Sequence, residues 1–430
     1  MTESLSLWLP AAVSVAGAVS GFVVWSRPAV LKNWALAVSL GSLAAVVVQP
    51  GAAGGPSLAA LLPIAAFLSL LGQPPHGDNR AAWIMTLLLL GLGLGVMAGR
   101  DGVGMILLTL LLIVLVSLLY RYRALSVSHL WQGIGMYGFG VVCLVTALVT
   151  APPVSASAFL AVCAMLLPLV PVHGGYVAAL AGLPGNLPAF LACLLPVLGF
   201  QGLLAVFPYL PEGLATLLPM IGLVGAVYGA VKALAQPRVR ALLAYANLSF
   251  FSILWWHVAT TRTAPPQAVL YVGAVGLATS GLLLSWYAIR ARYGDMDLRA
   301  IRGLAHPMPR FAVLFALLAL AALGLPPFGV FAGFMGLLLA PGLSLSGGVF
   351  VVVLAWLGAS WYMLDWMQRL LFGRHRPDLQ YEDLRRTEFA ALLAIVLILL
   401  AMSLVPARVF QAGVPVSLTA MAAGGLAWSK

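Results

Sequence analysis

Apolar runs of membrane-spanning length, following one another with only short polar joints between them, set the first limit on what this chain can fold into. A bilayer crossing needs roughly 20 apolar residues. On that criterion we read about 14 crossings, at 6–25, 33–49, 57–72, 81–99, 102–120, 131–151, 156–183, 187–207, 213–235, 240–259, 266–289, 310–341, 347–371 and 388–406. The composition agrees, because 63% of the 430 residues are hydrophobic and only 8% are charged, which no soluble domain of this size matches. The expected fold class is an all-α polytopic membrane protein. The Gly- and Ala-rich segment 412–427 is expected either at the interface or as a packed terminal helix. Glu3 precedes the first apolar run, with no Lys or Arg before it. A cleaved signal peptide wants a basic start, so this run is expected to be the first crossing.

The net charge of +11 invites a nucleic-acid partner, but its distribution excludes one. With the N-terminus outside, 17 of the 22 Lys and Arg fall on the cytoplasmic side. Arg100, Arg262, Arg408 and Lys430 fall outside, and Lys232 lies inside a crossing. That asymmetry is the positive-inside rule, so the basic surplus reports topology. It places the loops 290–310 and 372–387 in the cytoplasm.

Two of the apolar runs are interrupted. Pro171, His173 and Gly174 break the first, and Pro326, Pro327 and Gly329 break the second, five crossings later. Proline removes a backbone donor and glycine relaxes the chain, so no helix runs cleanly through either. At membrane depth such breaks survive only where protein or a water-filled cavity satisfies the freed groups. Paired breaks in two repeats point to a transport core. An odd offset implies two inverted five-helix repeats, 81–207 (crossings 4–8) and 213–371 (crossings 9–13), flanked by 1–80 and 388–430.

Four stretches carry a resemblance to a known family: Leu167-Pro-Leu-Val-Pro-Val-His-Gly174, the junction Tyr228–Tyr245, the approach Asp297–Pro309 followed by Gly324-Leu-Pro-Pro-Phe-Gly329, and Trp361–Gly373. Together they resemble the antiporter-like membrane subunits of respiratory complex I, membrane-bound hydrogenases and multisubunit cation/proton antiporters, over most of residues 80–406. The resemblance implies a subunit of a multisubunit complex in a bacterial-type inner membrane, with other membrane subunits or a cytoplasmic partner beside it. It also implies proton movement along a row of ionisable groups in mid-membrane. Here that row is depleted. Residues 102–120 hold no Asp or Glu, and the family's relay lysines fall on Leu166 and Leu198. A further lysine or glutamate, just past the second break, falls on Phe334. The chain stops at Lys430 without a long amphipathic tail, which by the same resemblance argues against the terminal pumping subunit of complex I.

The ionisable and polar residues that remain are the candidates for a proton pathway. Lys232 either replaces a lost relay lysine or snorkels to the cytoplasmic interface. Asp365 is the one carboxylate well inside a crossing; it stands four residues before Arg369, the spacing of a local pair, and a cross-helix pair with Lys232 is the alternative. His173 at the first break either bonds the broken backbone or handles protons. Gln201 and Asn247 hold water or bond across helices. Arg238 and Arg240 are expected to anchor a helix at the cytoplasmic surface, where anionic lipid favours them. His257, beside Trp255 and Trp256, is expected in an interfacial aromatic belt. Cys143, Cys163 and Cys193 stand singly, without metal-ligand spacing, and read as packing. No catalytic motif, cofactor site or metal site is recognised in this chain; any enzymatic role would belong to a proton-translocating oxidoreductase complex around it.

Two functions follow. One is a proton- or cation-translocating subunit of an energy-coupled complex. The other is a membrane scaffold with a dead or rerouted path, in a specific form resembling the DAB-type inorganic-carbon accumulators, whose membrane subunit energises a soluble zinc partner. A stand-alone carrier is the third class, disfavoured because relatives of this fold work within assemblies.

Overall fold

A computed structural model describes residues 2–49, 58–74, 79–99, 102–122, 127–263, 265–294, 301–340, 347–373 and 382–404. Among them all regular structure is helical. The N-terminal helices α1 (Thr2–Gly21), α2 (Pro28–Val47) and α3 (Leu58–Leu71) lead into α4 (Arg80–Ala98), α5 (Val103–Arg121) and α6 (Val127–Val149). The first interrupted run becomes α7 (Val154–Leu166) and α8 (Gly174–Gly182), followed by α9 (Leu187–Val206). Then come α10 (Glu212–Leu234), α11 (Val239–Thr261) and α12 (Pro266–Tyr293). The second interrupted run becomes α13 (Pro309–Ala322) and α14 (Gly329–Leu338), before α15 (Gly347–Leu371) and α16 (Arg386–Leu404). Several starts are set by proline in the first helical positions of α2, α9, α12 and α13, where its missing N–H costs nothing.

Among the described residues 10 helices are long and apolar enough to cross a membrane, and shorter apolar helices accompany them. The chain is a polytopic helical membrane protein. Segment 412–427, residues 295–300 of the first expected cytoplasmic loop and 374–381 of the second lie outside the described residues.

Helices apolar all round belong in the interior, and α11 and α12 are buried along their whole apolar windows. The outer helices α6 and α15 bury about a third of theirs. Their free faces carry residues such as Phe139, Phe350 and Trp361, the surface that lipid requires. Glycines let α10 lie directly on α11. A Cβ at Gly222 would stand 2.7 Å from the Trp256 nitrogen, and one at Gly229 2.5 Å from the Ser249 nitrogen.

One end of the bundle is fastened by buried charge. Arg292 on α12 donates to both oxygens of Glu388 on α16, at 3.2 and 2.7 Å. Lys32 on α2 donates to the carbonyls of Leu71 and Gln73, past the end of α3. Asp383 caps α13, accepting from the backbone N–H groups of Arg310 at 3.0 Å and Phe311 at 3.1 Å.

Candidate functional site

The first break runs from Leu167 to His173, and the second from Leu323 to Phe328. Each frees a carbonyl at its first residue, and each carbonyl is taken by a tryptophan from another helix. Trp255 Nε1 of α11 donates to the Leu167 carbonyl at 3.0 Å. Trp356 Nε1 of α15 donates to the Leu323 carbonyl at 2.7 Å. Ser403 Oγ of α16 donates to the Pro327 carbonyl in the second break. Protein groups therefore supply what the apolar surroundings withhold. Trp255→Phe keeps the ring and removes the donor; we expect it to cost about 1–3 kcal/mol, read as a lower unfolding midpoint in detergent.

His173 closes the first break and is buried. Its ring meets Tyr228 of α10 and Tyr245 of α11 edge-on, with centroids 5.5 and 5.9 Å apart. Lys232, one turn beyond Tyr228 on an exposed face of α10, sets its Nζ 5.7 Å from the Tyr228 ring centroid. That is a cation–π distance. His173 and Lys232 thus belong to one cluster, with Tyr228 between them.

Beside this cluster runs a neutral hydrogen-bonded row. Asn247 of α11 donates to the Tyr176 hydroxyl of α8 at 2.7 Å and accepts from Thr279 of α12 at 2.7 Å. All three are buried. The amide is fixed by one donor and one acceptor contact from two different helices, which ties the break to the core. Of the two readings open for Asn247, the structure shows the cross-helix bonds.

Arg240 turns inward. Its guanidinium donates to the carbonyls of Leu180, at 2.9 Å, and Leu183, so it caps the C-terminal end of α8. The expected surface anchor is a helix brace, because α8 ends at Gly182 and leaves its last carbonyls for the guanidinium to take. Gln201 stands apart near the other end of α9. It borders a cavity of about 30 Å³ with Leu198, Met97, Met105 and Phe159. Asp365 pairs with Arg369 of its own helix at 2.7 Å, both half-exposed. Among the described residues no ion pair joins Asp365 to Lys232. The three cysteines are buried and free, and no group of three metal-ligating side chains gathers among the described residues.

The aromatic-belt expectation for Trp255, Trp256 and His257 is overturned, since all three are buried. The end of α11 is enclosed by its neighbours, with Trp256 against Gly222 of α10 and Gly348 of α15. Sequence reasoning also missed Glu388, Arg292 and Lys32. A carboxylate in the first turn of an apolar run was the available signal for Glu388. The roles of Trp255 and Trp356 had none.

These features define a class first: a polytopic helical membrane protein whose interior is broken at two braced sites. Residues 103–360 match the family described as "NADH:quinone oxidoreductase/Mrp antiporter, TM", and the chain belongs to that family. It is similar to NADH-quinone oxidoreductase subunit M of Escherichia coli (strain K12), 29% identical over 55% of this chain and 48% of that one. It is also similar to NADH-quinone oxidoreductase subunit 13 of Thermus thermophilus, 32% identical over 56% of this chain and 52% of that one. The chain spans about half the length of these curated relatives. A chain of the respiratory complex I from Thermus thermophilus with bound NADH shares the fold, with TM-score 0.81 and 21% identity over 96% of this chain and 99% of that one.

Proposed function

We propose that this chain is an antiporter-like membrane subunit of a multisubunit complex linked to the proton-motive force, serving proton or cation translocation or its coupling. The observation that carries this reading is the pair of braced helix breaks, set in a family fold, with a cross-helix polar row beside the first. Counting α7 with α8 and α13 with α14 as single crossings gives about 14, and the two breaks then fall in corresponding places of inverted repeats. The N-terminus lies outside on this reading, and other membrane subunits are the partners.

Where the family resemblance expects charge, Leu166, Leu198 and Phe334 are buried and apolar, and α5 holds no Asp or Glu. Ionisable groups persist inside membranes where function uses them. Their replacement supports a path that is weak or closed by the usual route, with Tyr176, Asn247, Thr279 and the His173 cluster as its remaining polar line. The same replacements favour a second reading, a membrane scaffold that energises a soluble zinc partner in a DAB-type inorganic-carbon complex.

The purified chain in liposomes under an imposed pH gradient tests the weak-path claim. We expect proton flux at the level of protein-free vesicles. A robust flux that bulk changes at Leu166 or Leu198 abolish, and that Lys232→Ala leaves untouched, would contradict it.

A further inference from the structure

One buried side chain is left with both of its polar atoms unanswered. His257 of α11 has no exposed surface, and neither Nδ1 nor Nε2 meets a hydrogen-bond partner among the described residues. A neutral imidazole always presents one N–H donor and one lone-pair acceptor. Buried polar groups are bonded to protein or to ordered water, because an unmet group loses its hydration and gains nothing in return. Protein supplies neither bond here. Among the described residues no group of three His, Cys, Asp or Glu gathers to hold a metal ion. Water is the ligand that answers both a donor and an acceptor.

The place of His257 gives that water a role. Asn247, Phe250, Leu254 and His257 recur at steps of three and four, which puts them on one face of α11. That face meets α12. Thr279 donates to Asn247 on it, and the Tyr271 hydroxyl donates to the Phe250 carbonyl at 3.2 Å. His257 continues the stripe roughly 15 Å beyond Asn247, at 1.5 Å of rise per residue. One turn further, Thr261 Oγ1 donates to the His257 carbonyl at 2.9 Å, at the half-buried end of the helix just before Arg262. Thr261 thus places a hydroxyl one turn from His257, toward the end of the helix.

We propose that His257 is a hydrated station: internal water bonds its ring and connects the α11 stripe, past Thr261, to the Arg262 end of the helix. Its purpose, an exchange point at the end of the polar line, rests on the function proposed above. The water itself does not.

The test is water-edited NMR of the full chain, labelled with [15N]histidine, in lipid bilayers. The six histidines of the sequence are separated by comparison with His257→Phe, or with His257→Gln should the phenylalanine variant fail to fold. We expect the His257 ring to receive magnetisation from water and to show hydrogen-bonded nitrogen shifts, both lost in the variant while the other histidine signals stay. Thr261→Val is expected to slow the transfer several-fold. Ring signals typical of an unbonded imidazole, without transfer from water, would overturn the station. Unchanged transfer in Thr261→Val would overturn its connection past that residue. Neither failure touches the proposed subunit role, and failure of that role leaves the water signal standing.

Discussion

Glu388→Ala should cost about 3–5 kcal/mol of stability, the range for breaking a buried ion pair from one side. The side chains of Arg292 and Glu388 retain only 7% and 2% of their exposure. Removing the carboxylate leaves the guanidinium in place, still donating to the Ala288 carbonyl at 2.7 Å and the backbone carbonyl of Asp383 at 3.1 Å, without its paired carboxylate. The backbone N–H of Arg385, which donates to Glu388 at 2.9 Å, loses its acceptor as well. Lys32 lies within electrostatic reach of the same carboxylate, so a second cation loses its counter-charge. Removing both partners, as Arg292→Met with Glu388→Leu, should recover much of the loss, because the desolvation cost of two ions disappears with them. Unfolding midpoints in detergent for the two single variants and the double form the cycle. A Glu388→Ala protein within about 0.5 kcal/mol of the parent would mean that the pair is solvated.

Gly229→Val should be comparably damaging, for a steric reason. A Cβ at Gly229 would lie 2.5 Å from the Ser249 nitrogen and 2.9 Å from the Tyr245 carbonyl oxygen. Both are backbone atoms of α11, so no rotamer change makes room and the two helices must separate. Overpacking of this kind costs about 1–3 kcal/mol and more where backbone must move. The separation would also pull Tyr228, the residue before Gly229, from Tyr245, whose ring centroids are 6.5 Å apart. His173 would then lose its aromatic frame. Gly213→Ala on the same helix is the control, since a Cβ there meets nothing within 4 Å. We expect that variant to keep the parent's unfolding midpoint or exceed it, as alanine favours helix by about 1 kcal/mol over glycine. Gel-filtration yield and the unfolding midpoint separate the two outcomes.

Much of the architecture was legible because membrane helices announce themselves in composition. The run 213–235 and the helix Glu212–Leu234 differ by one residue at each end. Breaks were legible too, since Pro171 with Gly174 and Pro326 with Gly329 leave the backbone no helical solution. The lateral contacts were hidden. Trp255 sits in a run apolar on every side, so nothing in its neighbours says that its N–H turns to Leu167 rather than to the interface. The belt reading of Trp255–His257 failed for that reason. Interfacial aromatics and core aromatics share a sequence pattern, and only the packing of α10 and α15 against this end of α11 decides between them. Asn247 was recognisable as polar in an apolar run, yet Tyr176 and Thr279, its partners, lie 71 and 32 residues away in the chain. Glu388 fell at the edge of an apolar window, where a charge looks solvated. Its burial depends on Arg292, which is 96 residues distant.

On the function proposed here, this chain works as one membrane subunit among several. Native mass spectrometry of the tagged chain, extracted from its own membranes in mild detergent, decides whether it does. We expect a complex in which this chain stands at fixed stoichiometry with other membrane subunits of the respiratory or antiporter type. Recovery of the chain alone, under conditions that preserve known membrane complexes from the same extract, would contradict it.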